Sequence, residues 1–309
     1  METVTCPFCR SDDCEILFHA RDTAYCLDEI FFPVARCRVC RACYLRRRPT
    51  MENMGYYYPT QFYDLNKNQI TSSNLAARFA WIEDLAPGRL LDLGCAGAEF
   101  VNYAAERAWQ AWGYDWFAED KNPQPKVIYK TPLPEAFSPN SFDAITMWAV
   151  LEHLYDPLAV LRQIHKLLKP GGRLVALVPN FASIPARLMR SEDIPRHTNF
   201  FTRATLTEFF RQSGFIPRLW HFDGKIFKTS HRGCLVYLYK LLRGETMEHI
   251  VAQYRNRRDR YSFYNTVHNR PSVIVKYLSR LDGKLTPYLD GLADFLHAGA
   301  IMTVSARAQ

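Results

Sequence analysis

Apolar residues recur along this chain with two different periods. Short, nearly continuous runs at residues 90–93, 111–114, 127–129, 142–148, 173–178, 215–222 and 301–306 have the density expected of strands buried on both faces. Between them the spacing becomes helical: Leu75, Phe79 and Ile82; Phe100, Val101 and Ala104; Leu158, Leu161, Ile164 and Leu168; Leu206, Phe209 and Phe210. Start and stop signals agree with this division. Ser72-Ser73-Asn74, Asp156-Pro157 and Thr202 stand where helices should begin, and Pro87-Gly88, Lys169-Pro-Gly-Gly172 and Gly214 where they should end. Strands alternating with helices in this way predict a parallel sheet with right-handed crossovers. One crossover is anomalous, because the segment between Asp115 and Val127 carries Pro123 and Pro125 and is too short for a normal helix. Residues 224–298 read as helices at 236–242, 247–257, 273–281 and 285–296, inserted before the last strand.

The first of these strands carries the most informative turn. Asp92 interrupts Leu90, Leu91 and Leu93, Gly94 and Gly97 break the run, and a helix starts near Glu99. A strand passing through a small-residue turn into a helix brings a nucleotide-like ligand close to bare backbone N–H groups. Asp115 closes the next strand, 23 residues beyond Asp92, near the spacing at which a Rossmann-like unit sets a carboxylate on ribose hydroxyls.

All cysteines except Cys95 and Cys234 precede residue 44. Cys6-Pro-Phe-Cys9 and Cys37-Arg-Val-Cys40 form two CxxC knuckles, and Cys43 offers an alternative last ligand to Cys40. Paired knuckles predict a tetrahedral thiolate zinc site in a segment too small for its own core, and four thiolates leave no open position, so its role is structural. A disulfide framework does not suit a chain of 309 residues that opens without the layout of a secretion signal. The absence of an apolar run of roughly 18 residues argues against a membrane span, and the expected location is the cytoplasm. The aromatic stretch that follows holds Tyr56, Tyr57, Tyr58 and Tyr63, read either as packing of a linker or as a cation–π lid.

A net charge of +8 favours anionic partners. Arg36, Arg38, Arg41, Arg46, Arg47 and Arg48 form one basic cluster and Arg255, Arg257, Arg258 and Arg260 another, each readable also as a solvated face.

Taken together, LLDLGCAGAEF (90–100), GYD (113–115), SFDAITMWAVLEHLYDP (141–157), LLKPGGRLVALVPN (167–180) and HTNFFTRATLTEFFRQSGF (197–215) resemble the class I S-adenosylmethionine-dependent methyltransferases. The nearest branch is the small-molecule one that includes ubiquinone-pathway O-methyltransferases and sugar methyltransferases, some of which carry a zinc-ribbon preface. The resemblance implies a Rossmann-like α/β sheet, mostly parallel with the last strand antiparallel. It divides the chain into a zinc ribbon (1–50, ligands Cys6, Cys9, Cys37 and Cys40), an aromatic linker (51–71), a core (72–223), a helical insertion or substrate cap (224–298) and a final core strand (299–309). It also implies S-adenosylmethionine as cofactor, with Asp92, Gly94, Cys95, Ala96 and Gly97 around the methionine moiety. Asp115 would take the ribose, and Trp116, Met147 and Trp148 would line the adenosine and sulfonium side. The family turn reads Gly-x-Gly-x-Gly, whereas Ala96 and Ala98 stand here in glycine positions and tolerate positive φ poorly.

Methyl transfer from a sulfonium needs mainly proximity and alignment. A hydroxyl acceptor also needs a base, for which His153, beyond the fourth strand, and His197, before the next helix, are the candidates. His165, inside a helix, reads as solvated or packed. The expected partner is a small-molecule acceptor that can be anionic, with O-methylation favoured. RNA methylation is the rival reading, because a ribbon beside a basic core suits RNA. No Asn/Asp-Pro-Pro-Tyr/Phe motif follows the fourth strand, which excludes only its amino-methylating branch. A non-catalytic binding protein on the same fold is the third reading.

Overall fold

The apolar runs assemble into one seven-stranded sheet. The structure, a computed structural model, describes residues 1–25, 27–59, 70–115, 127–129, 133–189, 192–222, 224–227, 233–245 and 272–309. The chain opens with β1 (Glu2–Thr3), β2 (Cys14–Ala20), β3 (Phe32–Cys37), β4 (Cys43–Leu45), β5 (Arg47–Arg48) and the short helix α1 (Met51–Met54). The core follows as α2 (Ser72–Phe79), β6 (Arg89–Leu93), α3 (Glu99–Ala105), β7 (Gln110–Asp115), β8 (Val127–Tyr129), α4 (Leu133–Ala136), β9 (Phe142–Trp148), α5 (Pro157–Leu167) and β10 (Leu168–Pro179). Then come α6 (Ile184–Met189), β11 (Asn199–Phe200), α7 (Arg203–Gln212), β12 (Phe215–His221), α8 (Cys234–Leu242), α9 (Val273–Phe295) and β13 (Ile301–Ala308).

Strand order in the large sheet is β12-β13-β10-β9-β6-β7-β8, with β6 central. Strands β6 to β10 pair in parallel, and β13 runs antiparallel between β10 and β12. Order reverses around β6, whose neighbours β9 and β7 diverge, so the carboxyl end of β6 is the switch point at which open α/β sheets bind ligands. Leu90, Leu91, Phe142, Ile145, Leu174 and Val304 are fully buried, as strands covered on both faces require.

Local signals explain most boundaries. The Asp156 carboxylate accepts the Ala159 N–H at 3.0 Å, with Pro157 in the first turn of α5. Thr202 caps α7 in a reciprocal box with Thr205. Three details differ from the sequence reading. The cap of α2 is Thr71, paired with Asn74, rather than the following serines. Lys169-Pro-Gly-Gly172 lies within β10, where the register slips between Leu168 and Arg173 and Gly171 takes φ of 74°. The two helices expected over 273–296 are one, and the Asp282 carboxylate at its middle accepts the Gly233 N–H at 2.6 Å, pinning α9 to the start of α8. The helix expected at 247–257 and the basic cluster at 255–260 lie outside the described residues.

The N-terminal sheet is not self-contained. Its order is β11-β4-β3-β2, so residues 199–200 of the core supply one edge, pairing Asn199 with Tyr44 and Phe200 with Cys43. Phe8, in the first knuckle, packs on Phe209 of α7 with ring centroids 4.3 Å apart.

Candidate functional site

The turn from β6 to α3 is built of backbone. Gly94 has φ of +69°, and a Cβ there would stand 2.4 Å from Val150 Cγ2, so only glycine fits. The N–H groups of Gly94 and Cys95 point to the Tyr114 carbonyl (2.7 and 3.3 Å), and that of Ala96 donates to Asp115 Oδ2 at 3.0 Å. Asp115 therefore faces the turn. Ala96 and Ala98 adopt φ of 46° and 64°, so the turn keeps the glycine geometry despite its alanines. The Ala96 methyl is exposed and that of Ala98 fully buried. Cys95 is buried beside the turn, and burial pushes its thiol up, away from nucleophilic chemistry.

Acidic groups crowd this turn. Asp92 is 2% exposed, accepts the Thr146 hydroxyl at 2.6 Å, and is held at about 7 chiefly by burial, against the pull of Thr146 and Arg78. Arg78 is 8% exposed and its Nε has no hydrogen-bond partner among the described residues. Its guanidinium lies 5.6 Å from the Trp148 ring and 5.1 Å from Phe227, and burial lowers its pKa against the opposing charges of Asp92 and Glu99. Trp148, itself packed edge-on to Phe100, buries an indole Nε1 that has no partner among the described residues either. Two buried donors without a partner among the described residues thus stand beside the turn and its acids, Asp92, Glu99 and Asp115. Met147 is fully buried among the core residues, and Trp116 lies outside the described residues.

The two candidate histidines meet. A 3-10 turn at Leu151–His153 and the loop before β11 bring their rings to 4.7 Å, edge to face. His153 Nδ1 lies 3.1 Å from both the Arg196 carbonyl and the Tyr58 hydroxyl. A carbonyl only accepts, so His153 carries its proton on Nδ1. Burial and the neighbouring His197 pull His153 down to about 3. His197 is also pulled down by burial, but the hydrogen bond of its Nδ1 to Glu192 at 3.4 Å and the Glu152 and Asp193 charges outweigh that and leave it raised. Glu152 is 1% exposed, neither carboxylate oxygen has a hydrogen-bond partner among the described residues, and burial raises it to about 7. Its Oε1 stands 4.0 Å from His197 Nε2. Ligand atoms of Glu152, His153 and His197 all lie within 4.8 Å of one another. One neutral and one basic imidazole thus sit side by side beyond the end of β9.

Residues 67–217 match the family described as a methyltransferase domain. The fold is that of a class I methyltransferase. Over 110 residues the chain is 33% identical to the ubiquinone biosynthesis O-methyltransferase of Paracidovorax citrulli, covering 31% of this chain and 46% of that one. Over 147 residues it is 31% identical to the protein of the same name from Pseudomonas aeruginosa, covering 41% and 63%. The chain thus spans about half the length of the first of these relatives. A solved S-adenosylmethionine-dependent methyltransferase from Archaeoglobus fulgidus is 18% identical, with 80% of this chain and 99% of that chain covered and a TM-score of 0.49.

Outside the methyltransferase sheet, the sulfurs of Cys6, Cys9, Cys37 and Cys40 lie within 4.8 Å of one another, with Cys6–Cys40 at 3.4 Å and Cys9–Cys37 at 3.5 Å. Tetrahedral Zn–S bonds of about 2.3 Å set sulfurs roughly 3.8 Å apart, so the cluster fits that ion. Cys43 is not in the cluster, and its Sγ lies 3.8 Å from the Arg41 carbonyl. The knuckles match each other: Arg10 donates its N–H to the Cys6 carbonyl and Arg41 to that of Cys37, each at 3.0 Å and each with positive φ. Most of the basic cluster here is neutralised in place, through Arg36–Glu15, Arg38–Asp13, Arg46–Asp12 and Arg48–Glu2. No helix among the described residues is long and apolar enough to cross a membrane. Of the linker tyrosines, Tyr57 is buried with its hydroxyl on Asp28 and Tyr56 bonds the Leu27 carbonyl, while Tyr63 lies outside the described residues.

Sequence reasoning passed over Arg78, Glu192, Asp193 and Arg196. Arg78 had a signal, since it falls with Leu75 and Phe79 at i, i+3 and i+4 and so sets a cation on the apolar face of α2. The others lie in a loop without periodicity.

Proposed function

We propose that this chain transfers a methyl group from S-adenosylmethionine to a hydroxyl of a small-molecule acceptor. The observation that carries the reading is the carboxyl end of β6, where Asp115 is tied to the turn and Arg78 and Trp148 bury donors that have no partner among the described residues. When bound, the cofactor supplies an electrophilic methyl on a sulfonium. The turn from Gly94 to Gly97 would hold the methionine moiety, Arg78 its carboxylate, Asp115 the ribose hydroxyls, and Trp148 one wall. Asp92, Glu99 and Asp115 favour a cationic donor at that position.

His197 is the better proton acceptor of the pair. Glu192 holds a proton on its Nδ1 and raises its basicity, leaving Nε2 as the accepting atom. His153, at about 3, is too weak a base and serves as a neutral donor and wall. O-methylation is supported by this pair and by the names of the relatives, and an acceptor with an acidic hydroxyl suits it. The four cysteines would hold a structural zinc. A cytoplasmic location accords with the absence of a membrane-spanning helix among the described residues. The paired arginines of the N-terminal module weigh against RNA as acceptor.

The test is calorimetry with S-adenosylmethionine, followed by transfer of labelled methyl to a panel of phenols and sugars by wild type and His197→Gln. Heat of binding, transfer to one acceptor class and its loss in the variant support the reading. No heat of binding would leave a non-catalytic binding protein on this fold.

A further inference from the structure

The residue next to His197 reaches in two directions. The Arg196 side chain is fully buried: Nε contacts both Asp193 oxygens at 2.9 Å, Nη1 donates to the Tyr57 carbonyl at 2.7 Å, and Nη2 donates to Asp22 Oδ1 at 2.9 Å. Asp22 belongs to the N-terminal module, is itself fully buried, and also accepts the N–H groups of Ala24, Tyr25 and Leu27. In the other direction the Arg196 carbonyl meets His153 Nδ1 at 3.1 Å. Immediately downstream, the Thr198 carbonyl accepts the Leu45 N–H at 3.0 Å, and Asn199–Phe200 pairs with β4, the strand that follows the Cys37–Cys40 knuckle. On the opposite side Thr198 N–H donates to the Glu152 carbonyl at 2.8 Å. The loop carrying His197 is therefore clamped between the cysteine module and the turn carrying His153.

We infer that the N-terminal cysteine module is a positioning device for the histidine pair, acting through Arg196 as positioning residue and Asp22 as its anchor. A buried guanidinium that satisfies two carboxylates and a carbonyl from three separate segments has one low-energy orientation, so its main chain is fixed with it. Fixing that main chain sets the proton on His153 and the direction of the His197 ring. The module is wired to proton handling rather than to donor binding, because none of these contacts involves the β6–α3 turn. The inference rests on the histidine pair being the proton-handling group, but its test does not use turnover.

The experiment is Asp22→Asn in the full, zinc-loaded chain with nitrogen-15-labelled histidine. Ring resonances of His153 and His197 are recorded, and the Kd for S-adenosylhomocysteine is measured by calorimetry. Displaced ring resonances for both histidines, with a Kd within about twofold of wild type and an unchanged circular dichroism spectrum, are expected. Ring resonances that superimpose on wild type overturn the inference, and so does a variant that loses cofactor-analogue affinity in parallel with the displacement. Should Asp22→Asn not fold, Arg196→Lys keeps the buried charge but cannot span Asp22, Asp193 and Tyr57 together, and the same outcomes decide. Turnover of His197→Gln is read separately. Displaced rings with full activity in that variant would remove the base assignment and leave the positioning role standing.

Discussion

Two alanines in left-handed conformation give the strongest quantitative expectation. Ala96 and Ala98 hold φ of 46° and 64° in the β6–α3 turn. An L side chain in that region costs about 1–2 kcal/mol relative to glycine. Glycine offsets part of this by the larger entropy of its unfolded chain, about 0.4–1 kcal/mol. For Ala96→Gly the methyl lost is exposed, so nothing else is given up, and the expected gain is about 1 kcal/mol. The Ala98 methyl is fully buried, and its removal forfeits about 0.8 kcal/mol of burial, which brings Ala98→Gly close to neutral. Urea unfolding of the ligand-free protein, followed by fluorescence and circular dichroism, measures both. With the same angles in the loaded turn, the relief is common to free and loaded protein, and the Kd for S-adenosylhomocysteine should not move. A destabilised Ala96→Gly, or equal effects at the two positions, would refute the strain argument.

Gly94→Ala should lose cofactor binding at least tenfold, because the new methyl meets Val150 at 2.4 Å and φ of +69° disfavours it; calorimetry reads the loss. Cys40→Ser should abolish stoichiometric zinc, whereas Cys43→Ser should keep one equivalent, as measured by metal analysis, because only Cys40 belongs to the four-sulfur cluster. Chelation should also loosen the 192–200 loop, since β4 is its pairing partner. Asp92 has a folded pKa of about 7, raised by burial above an unfolded value of about 4. Its contribution to stability is complete below pH 4 and lost as the pH rises through 7, so the ligand-free wild type should weaken over that window relative to Asp92→Asn. Parallel urea midpoints for the two proteins between pH 4.5 and 8 would contradict this.

The sheet was legible because its central strands β6, β9 and β10 are largely buried, leaving apolar runs, and because Asp156, Pro157 and Thr202 punctuate it. The cysteine cluster was legible from spacing alone. Less could be read where tertiary contacts overrode local preference. Residues 282–284 were read as a gap between helices, whereas the helix runs through and buries Asp282 against Gly233. The sharing of Asn199–Phe200 with the N-terminal sheet has no local signature, since two residues cannot display a period. The arginines at 36–48 suggested an anion-binding face only because their acidic partners, Glu2, Asp12, Asp13 and Glu15, lie elsewhere in the chain. The histidines were found as types at an edge, whereas the pairing that separates their basicities depends on Glu192, Asp193 and Arg196.

Charge at the β6–α3 turn bears, under the proposed function, on which ligand leaves. Asp92, Glu99 and Asp115 act on one another, and Arg78 stands opposite them over Trp148. Under the proposed function, such a site would distinguish a donor carrying a sulfonium from the neutral thioether that remains after transfer. The distinction should depend on Asp92, whose carboxyl ionises at about 7. Below that pH the group is uncharged and gives the sulfonium little advantage. Above it, one further buried negative charge favours the cationic ligand, on the order of tenfold at the effective dielectric of protein sites. Cofactor binding itself shifts the ionisation: a cation lowers the Asp92 pKa and a neutral product does not. The ratio of the Kd for S-adenosylhomocysteine to that for S-adenosylmethionine should therefore climb between pH 6 and 8. In Asp92→Asn the ratio should stay level. A ratio independent of pH in wild type would mean that Asp92 serves the packing of β6 against β9 through Thr146, and that discrimination at release rests on Glu99 and Asp115 instead.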